Sequence, residues 1–278
     1  MVPINEFQAH PVEAMKANSL FRTRYRVAYC QSPGKERAHN EDTILTFSTD
    51  LLGDEPPTSF GVFLVADGMG GHQSGEIASR LAAQAACQHL ADNVYNTSRC
   101  NWNNLSEKSL RSILSEAVHQ AQSLIREQVP GGGTTLTMVM NLNETFYSAH
   151  VGDSRLYVLN DHSEMVLRTK DHSLVKRLVD LGEISEHEAV DHPQKNVLIR
   201  ALGQIDPLEP DLDRFVLNVG ERILICSDGL WGVVDELEIF EIINNAADPH
   251  LAAAGLVQSA NDHGGPDNIS VVLVERLV

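Results

Sequence analysis

The chain has 278 residues, of which 42% are hydrophobic and 21% charged, as is typical of a soluble globular protein. Acidic residues outnumber basic ones by 38 to 21, a net charge of −17, which argues against a nucleic-acid-binding surface. The four cysteines form no C-x-x-C pair and no apolar stretch has membrane-spanning length, so we expect a cytoplasmic protein with no disulfide framework, zinc knuckle or membrane contact.

The first half of the chain alternates between blocks of strands and a pair of helices. Apolar runs and helical periodicity predict strands at 24–31, 43–47 and 60–66, then helices at 74–91 and 106–128 joined by a polar, loop-like segment at 92–105. Strands are predicted next at 134–142, 145–151 and 154–159. The last two are separated only by Gly152-Asp153, a sequence typical of a hairpin turn.

The second half repeats this order. A mixed region at 171–200 has short helical pieces interrupted by Pro193, and it precedes strands at 214–218 and 222–227, helices near 235–246 and 249–261, and a final strand at 269–276. Helices paired between blocks of strands favour α+β layers over a doubly wound parallel sheet. Because no linker divides residues 23–278, we predict one domain there, preceded by a polar extension at 1–22.

A glycine-rich loop, VADGMGGH, follows the strand at 60–66 and leads into a helix. Loops of this kind often bind phosphate at the helix N-terminus, but here Asp67 adds a negative charge that repels phosphate. The loop has Gln73 where a dinucleotide fingerprint needs its third glycine, and it has no P-loop lysine. Either it is a tight turn, or a cation lies between the acid and the phosphate.

Acidic residues recur at the ends of predicted strands. They are Glu41 and Asp42, Asp67, Asp153, Asp228 and Asp267. If they meet at one edge of the sheets, the repulsion between two carboxylates about 5 Å apart, about 3 kcal/mol at an effective dielectric near 20, favours a bound cation. Oxygen ligands select a hard ion such as Mg²⁺ or Mn²⁺. The spacing alone leaves the alternative, a set of independent Asp-Gly turns, open.

Eight motifs, in order, make the chain resemble the metal-dependent protein phosphatase (protein phosphatase 2C) family, and its bacterial branch in particular. They are RAHNED (37–42), VADGMGGHQSGE (65–76), GGTTLTM (132–138), HVGDSRLY (150–157), TKDHSLV (169–175), HPQKNVLIRALG (192–203), CSDGLWG (226–232) and GGPDNISVVLV (264–274). The resemblance implies a four-layer α-β-β-α sandwich, with two central antiparallel sheets, a helix pair on each outer side and a small flap at about 171–200.

The resemblance also implies the reaction, hydrolysis of phosphoserine and phosphothreonine in proteins with two Mn²⁺ or Mg²⁺ ions. It assigns metal-binding roles to Asp67 as the bridging ligand, the Gly68 carbonyl, Asp228, Asp267, Glu41 through a water molecule, and Asp42 behind the ligands. Arg37 is expected to hold the substrate phosphate through its guanidinium fork. The expected protein substrates imply a serine/threonine kinase that opposes the enzyme, which we expect to be a monomer.

Two positions leave alternatives. His72 has an ordinary pKa suited to donating a proton to the leaving group, but it can equally serve to pack the loop. A third ion in the family lies between the acid at Asp153 and a second acid, which is Gly232 here, so a third ion would bind weakly or through other ligands. The alternatives to the protein phosphatase are a catalytically silent phosphoprotein-binding module and a phosphatase of small phosphorylated metabolites.

Overall fold

The computed structural model describes residues 24–51, 58–70, 73–96, 105–160, 164–204 and 207–277. The predicted N-terminal extension, 1–22, lies outside the described residues, and so does His72. Among the described helices, none combines the length and hydrophobicity needed to cross a membrane.

Twelve strands and seven α-helices make up the described part of the fold. The strands are β1 Tyr25–Ser32, β2 Thr43–Leu51, β3 Thr58–Ala66, β4 Gly68–Met69, β5 Gly133–Thr134, β6 Leu136–Leu142, β7 Thr145–Val151, β8 Arg155–Leu159, β9 Met165–Leu167, β10 Asp211–Val216, β11 Arg222–Cys226 and β12 Ile269–Arg276. The helices are α1 Gln73–Leu90, α2 Glu107–Gln128, α3 Leu174–Asp180, α4 Glu186–Val190, α5 Asp228–Trp231, α6 Glu236–Asn245 and α7 Pro249–Asp262.

Two five-stranded sheets form the centre of the molecule. One has the strand order β1-β12-β11-β8-β9 and the other β10-β7-β6-β3-β2, while β4 and β5 form a separate two-stranded ladder. Neighbouring strands are antiparallel in both sheets. The predicted α+β sandwich with two antiparallel sheets is therefore confirmed.

The sequence of β3 explains how three hydrophobic layers form around two sheets. Side chains alternate across a strand, so Phe63 and Val65 point between the sheets while Val62 and Leu64 point outward towards α1 and α2. All four are fully buried, which is why β3 is apolar on both faces from residue 60 to its end. The outer face of the other sheet is covered in the same way by α6 and α7.

Local sequence accounts for how the helices begin and how closely they pack. The Ser106 hydroxyl accepts a hydrogen bond from the backbone N–H of Ser109 at the start of α2, and the Asp248 carboxylate caps α7, whose first residue is Pro249. Small side chains at Ala78 and Ala82 let α1 lie close to the sheet, and both are fully buried. The predicted helices at 74–91, 106–128, 235–246 and 249–261 differ from the observed ones by at most one residue at either end.

The predicted hairpin at Gly152-Asp153 is wrong. β7 pairs with β6 and β10, whereas β8 pairs with β9 and β11, so the chain crosses there from one sheet to the other. Gly152 has φ +111°, and a Cβ at this position would lie 2.5 Å from the Thr135 side chain. Glycine is thus required for a close crossing between the sheets and not for a turn between paired strands.

Two other expectations need correction. The segment predicted as a loop from residue 92 begins with a π-helical turn, Ala91–Tyr95, that continues α1. The strand predicted at 134–142 is divided at Thr135, because its backbone N–H leaves the ladder and donates to the Asp67 carbonyl over 2.9 Å. The division separates β5 from β6 and lets the chain reach the end of β3.

The region predicted as a flap contains α3 and α4. Ser173 and Ser185 cap these two helices, and Ser185 forms a capping box with Glu188. An antiparallel β-bridge between Ser173 and Leu198 closes the base of the region. We call this bridge the flap stem. The flap limits of 171–200 and the domain limits of 23–278 remain predictions.

Candidate metal centre

The predicted acids lie at the ends of adjacent strands. Asp67 directly follows β3, and Asp42 directly precedes β2, the antiparallel neighbour of β3. Asp228 begins α5 just after β11, and Asp267 lies just before β12, the neighbour of β11. Antiparallel pairing therefore brings the acids together in two pairs, one from each sheet.

Electrostatic coupling shows that the two pairs form one cluster. Burial raises the pKa of Asp67 well above its usual value, and so does repulsion from Asp42, Asp228, Asp153 and Asp267. Burial likewise raises the pKa of Asp228 to about 6, with Asp267 adding to the rise. The cluster holds more negative charge than a buried site tolerates without a cation or protons.

Two threonines that the sequence analysis left without a site role hold the backbone of Asp67. The Thr135 hydroxyl accepts a hydrogen bond from the Asp67 N–H over 2.9 Å, and the Thr134 hydroxyl donates to the Asp67 carbonyl over 2.8 Å. Thr135 also contacts the Ser154 hydroxyl at 2.9 Å, beside Asp153. The motif GGTTLTM contains both threonines, but its sequence does not reveal these side-chain bonds to the backbone.

Asp42 lies behind the cluster. The Ser270 hydroxyl donates to its Oδ2 over 2.7 Å, while within the described part of the chain its buried Oδ1 has no hydrogen-bond partner. Burial raises the pKa of Asp42 to about 7. An unpaired oxygen on a buried carboxylate is an acceptor suited to a water molecule or a cation.

Asn268 holds the segment that carries Arg37 and Glu41 against the cluster. Its Oδ1 accepts from the backbone N–H of Glu41 over 2.8 Å, and its Nδ2 donates to the carbonyls of Pro33 and His39. The sequence analysis missed this residue, although it follows Asp267 in the motif GGPDN. One buried amide thus fixes a segment more than two hundred positions away in the chain.

Arg37 lies at the rim and contacts one of the predicted ligands. Its Nη2 is 2.7 Å from Asp267 Oδ2, and its side chain is 54% exposed. The hydrogen bond to Asp267 raises the pKa of Arg37 above its usual value. The guanidinium has five N–H donors, so this bond leaves others that an incoming anion can use.

Gly68 and Glu41 meet at the start of α1. A Cβ on Gly68 would lie 2.3 Å from the Gly75 carbonyl oxygen and 2.5 Å from that of Glu41, so only glycine fits. The Glu41 carboxylate lies over Gly75. A Cβ on Gly75 would come 2.1 Å from Glu41 Oε2. These glycines allow the acidic segment and the glycine loop to pack backbone to backbone.

Asp153 lies at the edge of the cluster, where the structure brings it next to Trp231. The Trp231 Nε1–H donates to the Asp153 carbonyl over 3.0 Å, and the Arg155 guanidinium lies 3.7 Å from the centre of the Trp231 ring. Burial raises the pKa of Asp153 well above its usual value. Gly232 follows Trp231 and has no side-chain oxygen to offer.

The site fits a hard divalent cation in its chemistry. Its donors include the partly buried carboxylates of Asp67 and Asp228, which have raised pKa values, and Gly68 adds a backbone carbonyl directly after Asp67. Among the described side chains, no three His, Cys, Asp or Glu groups surround one point as a finished ligand cage. The fit therefore depends on charge, burial and donor type.

Comparisons with known proteins show to which family the chain belongs. The family model described as protein phosphatase 2C matches residues 50–258. The serine/threonine phosphatase stp of Listeria monocytogenes is 37% identical over 245 residues, covering 87% of this chain and 92% of that protein. Protein phosphatase PhpP of Streptococcus pneumoniae is 34% identical over 243 residues, covering 87% and 93%.

Solved structures give the same result. The serine/threonine phosphatase PstP of Mycobacterium tuberculosis superposes with a TM-score of 0.76 at 34% identity, covering 91% of this chain and 99% of that one. The PstP catalytic domain in complex with two manganese ions has a TM-score of 0.73 at 33% identity, with the same coverage. The sandwich and its carboxylate cluster define a metal-dependent protein phosphatase. The chain belongs to the protein phosphatase 2C family.

Proposed function

We propose that this protein removes phosphate from phosphoserine and phosphothreonine in other proteins, using two Mn²⁺ or Mg²⁺ ions bound at the carboxylate cluster. The observation that carries the proposal is the group of partly buried acids, of which Asp67 and Asp228 have raised pKa values, beside a half-exposed arginine. The manganese complex of PstP, a relative with the same fold, supports the number and type of ions.

In this proposal several acids bind the two ions together. Asp67 would be the ligand shared by both ions, Asp228, Asp267 and the Gly68 carbonyl would be the other direct protein ligands, and Glu41 would act through a water molecule. The chemistry that such ions supply when bound is activation of a water molecule and neutralisation of charge on the phosphoryl group. Asp42, held by the hydrogen bond from the Ser270 hydroxyl, would add the charge of another carboxylate behind the ligands when the ions are bound.

Arg37 binds the substrate phosphate. Its bond to Asp267 fixes one side of the guanidinium, and the exposed remainder of the side chain faces outward for a bidentate contact with phosphate oxygens. His72 is the candidate for donating a proton to the leaving alkoxide. Because Gly232 offers no second carboxylate to complement Asp153, a third ion would bind weakly or through other ligands. The enzyme acts as a cytoplasmic monomer that opposes a serine/threonine kinase.

The test measures phosphate released from a phosphothreonine peptide in Mn²⁺, for the wild type and for the double variant Asp67→Asn/Asp228→Asn. We expect the double variant to lose at least about a hundredfold in rate, because the ligand charge for both ions is reduced. Asp262→Asn, at the exposed end of α7, is the matched control and should keep the wild-type rate.

Two outcomes would contradict the proposal. One is activity that survives EDTA or the double substitution, which would exclude the metal mechanism. The other is a faster reaction with a phosphorylated sugar than with the phosphopeptide, which would move the substrate class to small metabolites.

A further inference from the structure

His172, at the junction between the flap and the metal centre, makes an unusually complete set of contacts for a side chain outside the ligand set. Its side chain is 5% exposed. Its backbone N–H donates to the Gly152 carbonyl over 2.7 Å, and its Nδ1 accepts from the Gly152 N–H over 3.0 Å. Both polar groups of the Gly152 residue are therefore bonded to one histidine.

The contact at Nδ1 determines the tautomer of the ring. Because Nδ1 accepts a hydrogen bond, the neutral ring carries its proton on Nε2. Nε2 lies 3.1 Å from Asp211 Oδ2, at the start of β10, and donates to it. Arg200 Nη1 donates to Asp211 Oδ1 over 2.7 Å and holds this carboxylate beside the ring. The same Nη1 lies 3.1 Å from Nε2, and with the ring proton on Nε2 this is a contact between two donors and not a hydrogen bond. Burial lowers the pKa of His172, which favours the neutral ring that these contacts require.

The same residue is also attached to the flap stem. The His172 carbonyl accepts from the backbone N–H of Ile199 over 2.8 Å, and the next residue, Ser173, forms the bridge with Leu198. The two chain ends that leave the flap therefore meet at His172.

The Gly152 turn continues directly into the metal centre. Asp153 is the next residue, and Ser154 contacts the Thr135 hydroxyl that holds the Asp67 backbone. A shift of the turn is thus transmitted over two hydrogen bonds to the proposed bridging ligand.

We propose that His172 is a positioning residue for the metal centre, which holds the Gly152–Asp153 turn in place and connects it to the flap stem. The inference rests on the proposed function, because it assigns the turn a part in metal binding. His172 touches neither substrate nor metal in this role.

The two ring nitrogens can be replaced one at a time. In His172→Asn the amide oxygen takes the place of Nδ1 and keeps the acceptor for the Gly152 N–H. In His172→Gln the amide nitrogen takes the place of Nε2 and keeps the donor to Asp211, but leaves the buried Gly152 N–H unpaired. The two variants therefore distinguish the contact with the turn from the contact with β10.

The experiment measures Mn²⁺ affinity by calorimetry, kcat and KM on a phosphothreonine peptide, and the thermal midpoint of each variant. We expect His172→Asn to stay within about threefold of the wild type, whereas His172→Gln loses about tenfold or more in both Mn²⁺ affinity and kcat, the usual effect of removing a support behind a metal ligand. KM should change little. His250→Gln, at an exposed position of α7, controls for the general effect of replacing a histidine by glutamine.

Equal losses in the Asn and Gln variants, or unchanged Mn²⁺ affinity and kcat in a folded Gln variant, would overturn the proposal. If His172→Gln does not fold, Asp211→Ala is measured beside His172→Asn. Both variants lose the contact with β10 and keep the acceptor for the Gly152 N–H, so a tenfold loss of Mn²⁺ affinity in either folded protein would contradict the proposal. A wild-type protein that binds Mn²⁺ but releases no phosphate would contradict the proposed function. The Mn²⁺ affinities of the variants would still decide the role of His172.

Discussion

Arg155 places a buried positive charge at the edge of the carboxylate cluster. Its Nε and Nη2 donate to the two oxygens of Asp171 over 3.1 and 2.8 Å, and its face stacks on Trp231. The side chains of Arg155 and Asp171 are only 19% and 9% exposed, so neither charge is well solvated. Removing one partner of such a pair leaves the other charge poorly solvated and unpaired, which lowers the free energy of unfolding.

We predict that Arg155→Met lowers the free energy of unfolding by about 3–5 kcal/mol, since Asp171 is left buried and unpaired. The double variant Arg155→Met/Asp171→Leu should recover a substantial part of this loss, because it removes both charges. Urea unfolding measures both values. Arg111→Met is the control: its pair with Glu107 is exposed, and its loss should cost under about 1 kcal/mol. A double variant no more stable than the single one would contradict the argument.

Among the elements, two close backbone contacts position the ligands. The strand β4, just after β3, packs against the first turn of α1 at Gly68, and the start of α5 packs against the residue before β12 at Gly229. A Cβ on Gly229 would lie 2.0 Å from the Asn268 carbonyl oxygen. Since the opposing atoms are backbone atoms, no side-chain rotation can relieve the clash.

Gly68→Ala and Gly229→Ala should therefore each destabilise the protein by about 2 kcal/mol or more and weaken Mn²⁺ binding, because the elements carrying Asp67 and Asp228 must move apart. Thermal unfolding and calorimetric titration with Mn²⁺ measure the two effects. Gly255→Ala, in the middle of α7, meets one flexible Ile242 methyl at 3.1 Å and serves as the control. Wild-type stability in both of the first two variants would show that these contacts are not tight.

The sequence predicts long elements well and short ones poorly, for a physical reason. The apolar run of β3 and the periodicity of α2 extend over enough residues to specify type and position. α5, Asp228–Trp231, is too short to show a period, and the break at Thr135 arises from hydrogen bonds between its own groups and the backbone of Asp67. Such bonds depend on tertiary contacts that no local pattern contains.

In the whole molecule, the pairing of strands in two sheets brings residues that are distant in the sequence to one edge. The family motifs predicted the fold correctly and assigned roles to the acids at the strand ends. The Gly152-Asp153 hairpin rule failed, because short-range turn patterns do not say which sheet a strand joins. Asn268 was missed for a related reason, since its bonds to residues 33–41 exist only after β1 and β12 have paired. The sequence therefore defined the chemistry of the candidate site more completely than its supports.

The carboxylate cluster also makes the stability of the metal-free protein depend on pH. Asp42 has a pKa of about 7 in the folded protein against 3.8 ordinarily, so its protonated form stabilises the fold below about pH 4, and this contribution is lost as the pH rises through 7. The buried His150, with its pKa lowered to about 3 by burial, changes stability in the opposite direction over part of this range. The quantity to measure is therefore a difference between two proteins that share His150.

We predict that Asp42→Asn becomes progressively more stable than the wild type in EDTA as the pH rises from about 4 to 7, by about 1–3 kcal/mol at the upper end. The neutral amide keeps an acceptor for the Ser270 hydroxyl but no longer pays for a buried charge. Urea unfolding of both proteins across this range gives the difference directly. With saturating Mn²⁺ the advantage should shrink, because a bound cation stabilises the ionised Asp42 nearby. A difference that stays constant with pH would show that Asp42 is ionised in the folded protein throughout this range, and that the cluster tolerates its charges without a cation.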